Sequence, residues 1–274
     1  MLDLNVAGYY LLKQEKMPDF STQAVLLRAI DYQDYDRIVT LFTADYGKIV
    51  VLAKAAKKSV KRFGGSLELF SHLDVAFTVS KTKKGLPLLK EAFIIQPFEH
   101  IRVDVAKTAY ASYWCELILK WMEERQHNPF LFKLLLSALF YINTGQIANE
   151  IISICFQARM LALCGFAPNL EECGVCRRPL DLFSEERIAF RFDTGGLVCV
   201  SCSGGSGNGD RFFSKGALKQ LIWTTKAGFD RALRIRFSTN AMGEANSLLE
   251  QFSIRYFEKE IKSLGFLKRL RNCG

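Results

Sequence analysis

Two C-x-x-C pairs constrain this chain more than any other feature. Cys173-Gly174-Val175-Cys176 and Cys199-Val200-Ser201-Cys202 are separated by 22 residues, close to the spacing of two-knuckle zinc sites. Each pair suits a tight turn that directs two thiolates inward, and two such turns complete a tetrahedron. Four thiolates leave no open coordination position, so the pattern predicts one structural Zn2+ per chain rather than a catalytic metal. Asp193-Thr194-Gly195-Gly196, ahead of the second pair, predicts the turn of a small ribbon hairpin. A pair of disulfides would fit the same spacing but suits an intracellular chain poorly. A thioredoxin-like redox pair needs a βαβ setting that is absent around these residues. Cys115, Cys155, Cys164 and Cys273 are scattered, and the first three fall in helical patterns as small buried apolar residues.

Elsewhere the hydrophobic period changes at Pro97. Before it, β-rich runs at residues 24–30, 37–43, 48–53, 73–80 and 87–96 are punctuated by turn signals such as Asp45-Tyr46-Gly47. Five short strands in so short a span suit a small closed barrel, and the OB-fold is the five-stranded example that binds nucleic acid. After it, Tyr110, Trp114, Leu117, Ile118 and Trp121 fall at helical spacing. Asn128-Pro129 reads as an N-cap with Pro at the first helical position, opening a helix that ends near Gly145. Further helical patterns cover residues 147–163, 214–227 and 240–264. The predicted fold class is therefore α+β: an N-terminal five-stranded OB-fold barrel followed by a helical domain with an inserted four-cysteine zinc module. The expected divisions are an N-terminal extension (1–19), the barrel (20–97), a first helical part (98–170), the zinc module (171–204) and a second helical part (205–274).

Charge is distributed as unevenly as cysteine. The net charge is +9. Residues 48–90 hold ten basic residues (Lys48, Lys54, Lys57, Lys58, Lys61, Arg62, Lys81, Lys83, Lys84, Lys90) against Glu68 and Asp74, so this window alone carries +8. A field concentrated in this way favours a polyanionic partner, either nucleic acid or an anionic membrane surface. The expected phosphate-binding residues are Arg37, Lys54, Lys57, Lys58, Lys61, Arg62, Lys81, Lys83 and Lys84, with Tyr46 and Phe63 as candidates for stacking on bases. Phe63 could equally anchor the loop. Lysine-rich contacts act as point charges on phosphate, so little sequence preference is expected.

No signal peptide is visible, Asp3 standing where a basic region would lie. The most apolar run, residues 130–142, is too short to span a bilayer and contains Lys133. His72, His100 and His127 sit in no catalytic motif, and no phosphate-binding glycine loop or nucleophile elbow is present. The expectation is a non-enzymatic nucleic-acid-binding protein. A zinc-ribbon RNA-binding or transcription-associated factor is the alternative, with a membrane-surface adaptor behind it.

Three stretches together resemble the bacterial RecO family of recombination mediators. The first is Tyr32-Gln33-Asp34-Tyr35-Asp36-Arg37-Ile38-Val39-Thr40-Leu41-Phe42-Thr43, followed by Tyr46-Gly47-Lys48. The second runs Ala53-Lys54-Ala55-Ala56-Lys57-Lys58-Ser59-Val60-Lys61-Arg62-Phe63-Gly64-Gly65-Ser66-Leu67-Glu68, and the third is the two C-x-x-C pairs behind Gly195-Gly196. The resemblance implies an OB-fold, a helical domain and a zinc module. It also implies binding of single- and double-stranded DNA, annealing of complementary strands, and a cytoplasmic, nucleoid-associated location without membrane attachment. The implied partners are the C-terminal tail of single-strand-binding protein, RecR and, indirectly, RecA. Arg159, Lys215, Lys219 and Arg231 are candidates for the basic rim of a groove for that tail. Family members commonly carry Gly where this chain has Ala55. A left-handed backbone there would strain Ala, so a differently shaped loop is expected.

Overall fold

In the computed structural model, residues 19–78, 85–204, 209–257 and 260–273 are described. Lys81, Lys83 and Lys84 lie outside them. Strands β1 (Asp19–Tyr32), β2 (Asp36–Thr43) and β3 (Gly47–Ala53) form an antiparallel meander. The short helix α1 (Val60–Phe63) follows, then β4 (His72–Thr78) and β5 (Leu88–Gln96). The five strands close in the order β1-β2-β3-β5-β4, with β4 returning to pair with β1. This is the predicted OB-type barrel.

Burial follows the two-residue period of a strand. Along β3, buried and half-buried positions alternate from Gly47 to Ala53. Ala24, Leu26, Val39, Leu41, Ile49, Val51, Leu73 and Val75 fill the barrel. The intervening residues Val25, Leu27 and Phe42 do not reach solvent. They pack into a second core shared with the helices, which is why residues 24–27 are buried without a break.

Helices α2 (Glu99–Arg102), α3 (Val105–Trp121), α4 (Pro129–Thr144) and α5 (Asn149–Leu163) build that second core. Helix α4 starts and stops where the sequence says it must. The Asn128 side chain accepts the Leu131 N–H at 3.0 Å, and Gly145 closes the helix with φ of 69°. Gly47 marks the joint between barrel and helices. Its φ is +66°, and a Cβ there would lie 2.2 Å from the Gln126 carbonyl oxygen, so only glycine fits on both counts.

A second sheet is larger than the predicted ribbon. It comprises β6 (Asn169–Cys173), β7 (Arg187–Arg191), β8 (Gly196–Val198) and, beyond the short helix α6 (Val200–Ser203), β9 (Arg211–Ser214). The order is β6-β8-β7-β9, with β6 parallel to β8. The β7–β8 hairpin turns at Gly195, as its sequence predicts. Helices α7 (Lys215–Lys226), α8 (Phe229–Ala232), α9 (Thr239–Phe257) and α10 (Lys262–Cys273) complete the chain.

The last two correct the prediction of one helix over residues 240–264. The break is set from a distance. The Glu116 carboxylate on α3 accepts the backbone N–H groups of Lys262 and Ser263, at 3.2 and 2.8 Å, and the Ser263 hydroxyl. These are donors a new helix start leaves unpaired. Helix α10 then lays Leu264 and Leu267 on the helical core. Its Arg271 forms an ion pair at 2.7 Å with the buried Glu250 of α9, without good hydrogen-bond alignment. Among the described residues, no helix is long and apolar enough to cross a membrane.

Candidate nucleic-acid interface and cysteine cluster

The start of the segment between β3 and β4 is held by hydrogen bonds to its backbone. The Asp36 carboxylate accepts the Ala55 N–H at 2.7 Å, and the Tyr35 carbonyl accepts the Lys57 N–H at 3.1 Å. The β1–β2 turn therefore supports the basic loop from below. Ala55 itself has φ of 54°. It adopts the left-handed conformation despite its Cβ, and its carbonyl accepts the N–H groups of Lys58 and Ser59, both at 3.0 Å.

Six of the nine expected phosphate ligands fall within the described residues, and all six cluster here. Lys54, Lys57, Lys58 and Lys61 are exposed. The Arg62 guanidinium donates to the Lys54 carbonyl at 2.8 Å and to the Ser59 hydroxyl at 3.0 Å. Arg37 reaches over from β2, donating to the Leu67 carbonyl at 3.3 Å. Both Arg37 and Lys57 pair with Asp31. Among the described residues, no carboxylate lies within ion-pair distance of Lys54, Lys58, Lys61 or Arg62.

The basic window is narrower than its sequence bounds. Lys48 turns away to the helices, its ammonium donating to the Leu119 carbonyl at 2.7 Å at the C-terminal end of α3. Burial depresses its pKa. Lys90 pairs with Asp19 at 2.5 Å.

The aromatic candidates change places. Phe63 is buried in the barrel core and anchors the loop. Tyr46 packs edge-on against Phe20 and Phe77, at 5.5 and 5.6 Å between ring centroids. The exposed ring beside the lysines is Tyr35, with the Lys58 ammonium 3.3 Å from its centroid, a cation–π contact. The signal missed in the sequence was an aromatic residue in the turn between two strands, where function tends to reside.

The second site is the cysteine cluster. Cys173 ends β6, and its N–H donates to the Arg178 carbonyl at 2.8 Å, closing the first knuckle. The parallel β6–β8 pairing brings Cys199 alongside, and the Cys202 N–H returns to the Cys199 carbonyl at 2.9 Å. The four sulfurs all lie within 4.8 Å of one another. Cys176 Sγ and Cys199 Sγ are 3.7 Å apart. Metal–sulfur bonds of about 2.3 Å make a tetrahedron with edges of about 3.8 Å, so the donor set fits a metal ion. All four thiols are free.

Their proton affinities diverge. Burial raises the Cys173 thiol, but N–H groups of Cys176, Cys199 and Val175 outweigh it and bring the pKa to about 6. Its neighbour Cys202 is pushed up to about 12, first by its hydrogen bond with Cys199 and then by that with Cys176. A cation among them would favour all four thiolates. Of the scattered cysteines, Cys115 and Cys155 are buried in helices as expected, and Cys164 is half-buried just past the end of α5.

The histidines play no common part. His72 lies 3.1 Å from the Gln23 side-chain oxygen, and His127 donates to the Ala44 carbonyl at 2.9 Å. The residues predicted to rim a peptide groove lie on three helices, α5, α7 and α8. Lys215 and Lys219 turn to the backbone and carboxylate of Asp181, Arg159 is tied to the Ala227 carbonyl, and Arg231 is exposed on α8.

A closed OB-type barrel with an exposed cationic loop is thus joined to helices and to a second sheet that carries a four-thiol cluster. The family description "Recombination protein O N terminal" matches residues 17–98, and "Recombination protein O C terminal" matches residues 102–265. The chain belongs to the RecO family of DNA repair and recombination proteins. It is 43% identical over 255 residues to the DNA repair protein RecO of Desulfatibacillum aliphaticivorans, spanning 93% of this chain and 98% of that one. To the protein of the same name from Desulfosudis oleivorans it is 38% identical over 260 residues, spanning 93% and 100%. The corresponding protein of Syntrophus aciditrophicus is 33% identical over 254 residues, spanning 92% and 96%.

Proposed function

We propose that this protein is a non-enzymatic recombination mediator that binds single- and double-stranded DNA with little sequence preference and anneals complementary strands. The observation that supports this most is the cluster of Lys54, Lys58, Lys61 and Arg62, exposed or half-exposed and without carboxylate partners among the described residues, on one loop of an OB-type barrel. Annealing needs no bond chemistry. Two polyanions must be held close, and cations on the loop release counterions from one strand while screening the next. Arg37 and Lys57 belong to the same surface, and Lys81, Lys83 and Lys84 are assigned to it from the sequence. Tyr35 offers a face for a base.

Cys173, Cys176, Cys199 and Cys202 would hold a structural Zn2+, since four sulfur donors would leave no position for substrate. Family membership supports three protein partners in the cytoplasm: the tail of single-strand-binding protein, RecR, and RecA as the recombinase that is finally loaded.

The test is annealing of complementary oligonucleotides without ATP, comparing the wild type with a variant in which Lys57, Lys58, Lys61 and Arg62 are all changed to Glu. The wild type should anneal, with log K for DNA falling against log salt at a slope of roughly −3 to −5 if about four to six cations touch phosphate. The variant should not. Affinity independent of salt would overturn the reading.

A further inference from the structure

Resting on that reading, we infer that Asp31 occupies the seat of a DNA phosphate in the free protein and must be displaced before Arg37 and Lys57 engage a strand. Asp31 and Arg37 face each other across β1 and β2. One carboxylate oxygen accepts from Arg37 Nε at 3.2 Å, and the other lies 3.0 Å from Lys57 Nζ. Two oxygens of one anion thus hold two cations from different elements, as the two non-bridging oxygens of a phosphodiester would.

The seat is accessible. The Asp31 side chain is 62% exposed, against 31% for Arg37 and 33% for Lys57. Hydrogen bonding to Lys57 chiefly keeps its carboxyl below the ordinary range, so the anion is in place at neutral pH. Ion pairs this open to water are weak and easily exchanged. The Arg37 guanidinium and the Lys57 backbone also make contacts that do not involve Asp31. Arg37 also donates to the Leu67 carbonyl, and the Lys57 backbone is tied to Tyr35. Asp31 therefore competes with a phosphate for both cations, and it lowers the affinity of the surface for any single strand. Such competition keeps a strand exchangeable, which annealing requires.

The experiment measures binding of a single-stranded oligonucleotide across a salt series for the full chain, for Asp31→Asn and Asp31→Ser, and for Asp34→Asn. Asp34 lies exposed in the adjoining β1–β2 turn and makes no ion pair among the described residues, so it reports the general effect of removing a negative charge. Both Asp31 variants should bind about fivefold tighter near 0.1 M salt, with a slope steeper by about 0.7. Asp34→Asn should shift affinity less and leave the slope unchanged. Unchanged or weaker binding by the Asp31 variants, beside salt-dependent binding by the wild type, overturns the inference and leaves the DNA reading standing. Equal tightening by Asp34→Asn also overturns it. A wild type without salt-dependent binding removes the DNA reading itself.

Discussion

The cationic loop and the cysteine cluster are both polar sites on β-scaffolds, but they are held in opposite ways. The loop is held by hydrogen bonds to its backbone and by the buried Phe63, and its charged ends stand in water. The cluster has Cys173 and Cys199 buried, Cys202 half-buried and Cys176 exposed, with every sulfur within reach of the others. Removing one member of the first site subtracts a contact. Removing one member of the second leaves the other three without a centre. On the proposed function, a surface for a long, variable polyanion would gain from separable contacts, whereas a structural metal site would work as a unit.

The sharpest way to break this contrast is within the cluster itself. Cys173→Ser and Cys176→Ser should both abolish metal retention and destabilise the second sheet, each on the order of 5 kcal/mol, as read by metal content and thermal unfolding. If only the buried Cys173 matters, packing rather than the metal holds the knuckles. In the loop, reversing Lys57, Lys58, Lys61 and Arg62 together should weaken single-strand binding roughly 100-fold or more near 0.1 M salt. Unfolding of the same variant should change little.

A third test lies at a position that resembles neither site. Glu116→Gln should cost about 1 kcal/mol by weakening the N-terminal cap of α10. Burial raises the Glu116 carboxyl, but hydrogen bonds from Ser263 and Lys262 outweigh it, so its pKa in the folded chain lies below the ordinary value. Its contribution is thus present above the unfolded pKa of about 4.3 and is lost as pH falls through the folded one. The Gln variant should lack that part of the acid-side loss in an unfolding series. The smallest effect is expected at Ala55. Ala55→Gly should stabilise by about 0.5–1 kcal/mol, because the left-handed backbone costs Ala more than Gly loses in entropy. Urea unfolding would measure it.

What the sequence revealed was whatever depends on near neighbours. The barrel strands are legible as β-rich runs between turn signals, α4 from Asn128-Pro129 and Gly145, and the thiol cluster from spacing. Contacts closed over long separations were not readable. Helix α9 reads as running on to Leu264 because Ile261 and Leu264 keep the apolar pattern, and the break depends on Glu116 far upstream. Strand β6, Asn-Leu-Glu-Glu-Cys, has no alternation and becomes a strand through its partner β8. The Asp31 bridge needs both the β1–β2 register and the return of the basic loop. Tyr46 reads as a stacking ring and Phe63 as either a stacking ring or a loop anchor, because an isolated aromatic residue does not reveal whether its ring points inward.

Gly47 and Lys48 have a consequence for modularity. The family match divides this chain between residues 98 and 102, yet the seam is not a mechanical one. Gly47 leaves no space before the Gln126 backbone, Lys48 plugs the end of α3, and Phe42 packs against Phe132 at 5.9 Å between ring centroids. A barrel excised at that boundary would carry the bared faces of Val25, Leu27 and Phe42 into solvent. The barrel is not a portable cassette, and grafting its cationic loop onto another protein means transplanting the loop and its β1–β2 support rather than the domain.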